Sequence, residues 1–279
     1  MNHHDVIHAM HRPLVLHHGS CMDGFGAAWS IHDCFGDEAE YVPQLYGQGD
    51  PPDVTGRDVL IVDYSYPRAQ MLAMNEAARS LVCLDHHKTA EADLAGLDFA
   101  LFDISRSGAG LTWDIVSDYH PRPALIDYVE DRDLWKFALP RSKEINAWIG
   151  CVEFTFAEWR QLERDMRLSL DTVAERGAAV LRKIDCYVRD MCKQHRRIPF
   201  AGYDDIPVVN APYINTSELV GKLAEDAPFA VGWFQNNAGL YQYSLRSRGD
   251  FDVSELAKRF GGGGHRQAAG FSVERPVHQ

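Results

Sequence analysis

Three stretches of the chain gather side chains able to bind metal ions or move protons. His17, Cys21 and Asp23 lie in HHGSCMDGFGAAW, directly after the apolar run PLVL. Asp63 ends the run DVLIVD, and Asp85, His86 and His87 end SLVCLDHH. A fourth stretch, EDRD, offers Asp131 and Asp133. Carboxylates suit Mn²⁺ or Mg²⁺, and added imidazoles move the preference toward Mn²⁺, Fe²⁺, Co²⁺ or Zn²⁺. His17, Asp23, Asp63, His86 and Asp131 exceed the needs of one ion, so the set implies up to two divalent ions. Such a pair activates water and neutralises charge at a phosphorus centre.

The elements that must position these residues are legible as alternating segments. PLVLHH, DVLIVDYS, SLVCLDHH and FALFD read as strands. DGFGAAWSIHDCF, PRAQMLAMNEAAR, SGAGLTWDIVSDY and PALIDYVEDRDLW read as helices. Alternation of this kind predicts an α/β fold with a parallel sheet covered on both faces. In such sheets ligands sit outside the carboxyl ends of the strands. Three strands end in His17/His18, Asp63 and Asp85-His86-His87, so they deliver metal-competent groups to one end of the sheet. Ser105, Arg106 and Ser107 precede another helix start and could touch a phosphate, with capping of that helix by Ser107 the expected role. His18, next to His17, could support the metal shell or contact substrate, and the histidines of MNHHDVIHAMH are expected to form a mobile tail.

From about Phe154 to His195 the pattern is helical and charged. After Ile198-Pro199 it changes to short strands and helices. The expected organisation is a metal-binding domain at 1–170, a connecting helix at 171–197 and a smaller α+β domain at 198–279. The second domain carries FGGGGHRQAAGF. Gly262, Gly263 and Gly264 let backbone N–H groups approach an anion, and His265 and Arg266 add donors. The run reads as a helix start, which would favour negative charge further.

Composition limits the partners. The net charge of −12 argues against long duplex nucleic acid, which calls for a basic face. The six scattered cysteines form no C-x-x-C pair, so a zinc ribbon or disulfide framework is not expected. No apolar run reaches the roughly 20 residues of a membrane span, and the N-terminus does not read as a signal peptide. A cytoplasmic protein without membrane association is expected, of undetermined oligomeric state.

HHGSCMDG, VDYS, LDHHKT and GGGGHRQAAGF, in this order between Leu14 and Phe271, resemble the DHH phosphoesterase family with its DHH-associated C-terminal domain. The resemblance implies that His17, Cys21 and Asp63 hold one ion, and that Asp23, Asp63, His86 and Asp131 hold the other. Asp131 is favoured over Asp133. Asp63 would bridge, His87 would face the substrate, and Asp85 would orient the histidines. The C-terminal motif, Gly262 to Arg266, would hold a phosphate of the substrate. The sequence departs from the family pattern at Cys21, where an aspartate would stand. A thiolate there could ligate a softer ion, sit beside the metal without binding, or act as a nucleophile. Metal-activated water needs no protein nucleophile, which disfavours the third role.

The implied function is hydrolysis of phosphoester bonds in short oligonucleotides, dinucleotides or small nucleotides, with Mn²⁺ expected first. Pyrophosphate or polyphosphate hydrolysis is the alternative among enzymes. A nucleotide sensor without catalysis is the alternative outside them.

Overall fold

The computed structural model describes residues 2–45, 49–117 and 120–278. The chain forms two compact units, residues 1–181 and 182–279.

The first unit is built on a five-stranded sheet. Its opening elements are α1 (His3–His8), β1 (Leu14–His18), α2 (Met22–Phe35), β2 (Glu40–Gln44) and β3 (Asp58–Val62). Then come α3 (Arg68–Ala77), β4 (Ser80–Asp85), α4 (Lys88–Asp93), β5 (Ala100–Phe102), α5 (Gly108–Val116) and α6 (Ala124–Asp133). Helices α7 (Ser142–Ile149), α8 (Phe156–Leu168) and α9 (Leu170–Cys192) follow. The strand order is β2-β1-β3-β4-β5, and every pairing is parallel.

Strand alternation sorts the core onto two faces. Leu14, Leu16, Val59, Ile61, Leu81 and Cys83 pack with Met71 and Met74 of α3. Val15, Leu60, Val62, Val82 and Leu84 pack on the other face with Ile7, Ala27, Ile31 and Leu111, from α1, α2 and α5. A further apolar cluster joins Trp29, Ile126, Ile149, Trp159, Val173 and Ala174, so α6 to α8 and the start of α9 form a helical layer. In a 2-1-3-4-5 order the sheet reverses its winding between β1 and β3, which is where ligands bind. His18 and Asp63 stand at that point.

The N-terminal histidines belong to a packed helix, not a tail. His4 Nδ1 lies 2.8 Å from Ile115 O and His8 Nε2 lies 2.8 Å from Val116 O. These carbonyls close α5, whose last turn has no helical partners for them. Ile7 between them is fully buried. The sequence reading also missed β2, which lies at the sheet edge and contains Pro43, a residue that edge strands tolerate.

The second unit begins within α9, whose Tyr187, Val188 and Met191 pack against Val209, Leu219 and Ala230. It contains β6 (Arg196–Phe200), β7 (Tyr203–Asn210), α10 (Thr216–Leu223), β8 (Phe229–Gln235), β9 (Tyr241–Ser247), α11 (Val253–Lys258), β10 (Gly263–His265) and β11 (Ala268–Val273). The strand order is β10-β11-β9-β8-β7-β6. All pairs are antiparallel except β7 with β8.

The glycine run does not start a helix. It follows α11 and enters a hairpin in which Gly263 faces Gly270 and His265 faces Ala268. A Cβ on Gly262 would lie 2.1 Å from Gly270 O, and Gly264 has φ of 136°. The glycines serve close strand approach and backbone conformation, so no helix dipole acts there.

Candidate metal centre

The β1, β3 and β4 ends, α2, α5 and the end of α6 converge on one buried centre. Asp63 lies just past β3 with φ of 52°. Aspartate tolerates this left-handed conformation better than most residues, and such positions cluster at functional sites. The Asp63 carboxylate is 1% exposed and faces two groups at once. Its Oδ2 is 3.5 Å from His18 Nδ1 and 4.0 Å from Cys21 Sγ. Its Oδ1 is 3.1 Å from His86 Nε2.

His86 is the hub of the second group. The same nitrogen lies 3.3 Å from Asp23 Oδ2 and 3.7 Å from Asp133 Oδ2. Asp23 is held by the start of α5, where Gly108 N–H donates to its Oδ2 at 2.6 Å and Ala109 N–H to its Oδ1 at 2.9 Å. Ser107 caps that helix, accepting from Gly110 N–H at 3.0 Å. Glu130 of α6 accepts the Ser107 N–H at 3.1 Å and is paired with Arg106 and Arg122. Arg106 is therefore part of this buttress, which ties α5 to the helix that carries Asp133.

The third group orients a histidine. Asp85 is fully buried and its Oδ1 is 2.7 Å from His87 Nδ1. Ser65 Oγ donates to Asp85 Oδ2 at 2.9 Å, and His86 N–H donates to Oδ1 at 2.7 Å. The carboxylate thus fixes the His87 ring by its Nδ1 edge.

The electrostatics follow from burying several acids together. Burial raises the Asp23 carboxyl, and the Asp63 charge adds to this. Burial, with the Asp23 charge beside it, pushes Asp133 up to about 7. Burial also works against ionised Asp63, but contacts from His18 and His86 outweigh it and hold the carboxyl well below the usual range. Burial lowers His18 and His86, yet their carboxylate neighbours prevail and raise both well above the ordinary imidazole value. Burial raises the Cys21 thiol. Imidazoles raised in this way compete for protons with a cation at the same nitrogens, so cation binding weakens as pH falls.

The residues fit divalent cations. His18, Cys21 and Asp63 place one ligand atom each within 4.8 Å of one another, as do Asp23, His86 and Asp133. Asp133 Oδ2 is buried and makes no hydrogen bond, the state of a carboxylate oxygen built for a cation.

Of the residues expected to bind metal, Cys21, Asp23, Asp63 and His86 fall in these groups. His17 and Asp131 are placed outside them. His17 packs beside Phe25 with ring centroids 6.2 Å apart, and its Nδ1 is 3.1 Å from the His18 carbonyl oxygen. Asp131 turns its carboxylate to the loop after α6, accepting N–H of Ala138 at 2.8 Å and of Leu139 at 3.3 Å. Trp135 and Phe137 in that loop both have positive φ. His18 and Asp133 take the positions toward the centre. Strand alternation was the available signal for His18, since it puts His17 on the α2 face with Val15.

This placement separates two mutants. Asp131→Ala removes the carboxylate that accepts the Ala138 and Leu139 N–H groups and should cost about 1–3 kcal/mol in thermal unfolding, two hydrogen bonds' worth. Asp133→Ala should leave the melting temperature nearly unchanged but lower cation affinity about tenfold or more by calorimetric titration. The reverse pattern would put the ligand at Asp131.

In the second unit, Arg266 Nη2 donates to Asp250 O at 2.8 Å, and about half of the side chain is exposed. Val253 N–H donates to Arg266 O at 2.8 Å, tying the hairpin turn to the start of α11. No helix among the described residues is long and apolar enough to cross a membrane.

Comparison with known proteins bears on the fold. Residues 210–277 match the DHHA1 domain. An uncharacterized protein of Acanthamoeba polyphaga mimivirus is 29% identical over 286 residues, covering 93% of this chain and 67% of the viral protein. The pGpG-specific phosphodiesterase PggH of Vibrio cholerae superposes with a TM-score of 0.50 at 14% identity, over 94% of this chain and 92% of that one. RecJ of Thermus thermophilus, solved with Mn²⁺, superposes with a TM-score of 0.54 at 15% identity, over 97% of this chain and 51% of RecJ. Identities this low speak to fold, and with the DHHA1 match they give the chain the architecture of the DHH/DHHA1 phosphoesterases.

Proposed function

We propose that the protein is a metal-dependent phosphoesterase acting on short oligonucleotides, linear dinucleotides or small nucleotides. The observation that carries this reading is Asp63, whose two carboxylate oxygens face two separate groups of ligands. That the fold is shared with a pGpG phosphodiesterase and with RecJ supports nucleotides as the substrate class. The ligands proposed are His18, Cys21 and Asp63 on one side and Asp23, Asp63, His86 and Asp133 on the other. Ions held there, Mn²⁺ foremost, would lower the pKa of bound water and neutralise charge on phosphoryl oxygens.

The chain's own groups set the rest. Asp85 holds His87 by Nδ1, so Nε2 is the edge offered to substrate. The Asp85 charge keeps the His87 pKa raised against burial, which favours the imidazolium as a donor to a phosphoryl oxygen or leaving group. In the second unit, Gly262, Gly263, Gly264, His265 and Arg266 are assigned to a substrate phosphate. There the backbone of the hairpin and the guanidinium serve, in place of a helix terminus.

The test is a panel of a linear dinucleotide, a 3′,5′-bisphosphorylated adenosine, a cyclic dinucleotide and pyrophosphate, each with Mn²⁺, Co²⁺, Zn²⁺ and Mg²⁺. Turnover of a nucleotide that is lost in Asp63→Asn supports the reading. Turnover of pyrophosphate alone would replace it, and binding without turnover under every metal would make the protein a sensor.

Asp85→Asn should lower kcat about 10- to 100-fold with little change in KM. Removing the carboxylate that raises the His87 pKa must bring that pKa down. The limb of the pH profile that reports His87 should therefore move to lower pH, and the His87 imidazole signals in NMR should titrate at lower pH as well.

A further inference from the structure

The two groups that share Asp63 differ in chemistry. One offers nitrogen, sulfur and oxygen from His18, Cys21 and Asp63. The other offers one nitrogen and otherwise carboxylate oxygens, from His86 with Asp23, Asp63 and Asp133. Thiolate selects Zn²⁺ and similar softer ions, whereas carboxylate-rich sets suit Mn²⁺ or Mg²⁺. We propose that this is a mixed-metal centre, with a Zn²⁺-class ion on His18, Cys21 and Asp63 and a harder ion on Asp23, Asp63, His86 and Asp133. The proposal rests on reading the centre as metal-binding, and it assigns to each half a different ion.

The distances support a single ion in the sulfur-bearing group. Donors about 2.0–2.3 Å from a tetrahedral ion lie roughly 3.3–3.6 Å from one another. Asp63 Oδ2 is 3.5 Å from His18 Nδ1 and 4.0 Å from Cys21 Sγ, so a small inward shift of the thiol completes the set. Three protein ligands leave the fourth position open, as in catalytic rather than structural zinc sites. Asp63 Oδ1 remains for the other ion, and this oxygen is buried with no aligned hydrogen-bond donor. Cys21 also sits immediately before α2, in extended conformation, with Asp23 in the first turn. Its two neighbouring ligands therefore serve opposite halves of the centre, and exchange of this one residue changes one half alone.

Cobalt distinguishes the halves without any assay of turnover. Metal-free protein, prepared with a chelator, is titrated with Co²⁺. A sulfur-to-cobalt charge-transfer band in the near-ultraviolet is expected in the native chain and in Cys34→Ser. It should be absent in Cys21→Ser and retained in Asp133→Ala. One equivalent of Zn²⁺ should remove the band, while a hundredfold excess of Mn²⁺ should not. The ratio of Zn²⁺ to Mn²⁺ affinity should fall at least tenfold in Cys21→Asp. Absence of the band in the native chain, or its persistence in Cys21→Ser, would overturn the proposal. The outcome is separate from the function test. A band without nucleotide turnover under any metal removes the phosphoesterase reading and keeps the site, whereas turnover with Mn²⁺ and no band does the opposite.

Discussion

Asp63→Asn should lower kcat for a nucleotide substrate by about a thousandfold and reduce the bound divalent metal to less than half of the native content. Asparagine keeps the shape of the side chain and adopts the left-handed backbone of this position readily, so the change isolates the charge. That charge faces His18 and Cys21 with one oxygen and His86 with the other. Losing one preorganised electrostatic group in a catalytic site commonly costs about 10²–10³ in rate, and this one serves both halves of the centre. The pKa of His18 should fall toward the ordinary imidazole value in the metal-free variant, because Asp63 is the main group raising it, and that of His86 should fall less, because Asp23 and Asp133 remain beside it. Metal analysis, steady-state kinetics and imidazole NMR check the three parts. Native metal content with native turnover would remove Asp63 from the centre.

Gly108→Ala should be nearly as damaging, although it adds only a methyl group. The new Cβ would lie 2.4 Å from Asp63 Cβ and 2.6 Å from Asp63 Oδ1. The same residue donates its N–H to Asp23 at 2.6 Å. Relief of the clash must move α5 away from β3, so Asp23 and Asp63 are displaced together. Overpacking of this kind costs about 1–3 kcal/mol. Displacement of catalytic groups by about 1 Å can cost about a hundredfold in rate. Gly150→Ala is the control, since its Cβ would meet nothing closer than Asn146 O at 3.5 Å, an ordinary contact. Thermal unfolding and kinetics of the two variants should diverge, and equal behaviour would show that α5 yields without disturbing the centre.

The sequence by itself determined the parallel sheet, because buried strands read as apolar runs whether or not their partners are known. It also determined that β1, β3 and β4 end in metal-competent groups, since each run is followed at once by its polar residues. The GGGH motif and the LDHH strand end were enough to find the family resemblance. Edge strands β2 and β6 were harder to read, because each contains a proline and neither forms a purely apolar run. Helix α1 was hidden because His4 and His8 find their partners at Ile115 and Val116, more than a hundred residues away.

Which member of each neighbouring pair faces the centre was decided by tertiary structure. His17 and His18 point to opposite faces of β1, both of which are packed, and only the placement of Phe25 against His17 and of Asp63 against His18 shows which of the two reaches the centre. Asp131 and Asp133 are two residues apart on a helix, about 200° around its axis, so they cannot both face the same site. The loop after α6 claims Asp131 for its own N–H groups, and Asp133 is left to face His86. Composition and spacing name the ligand types. The choice among adjacent candidates depends on which backbone groups need satisfying nearby, and those groups come from elements far away in the chain.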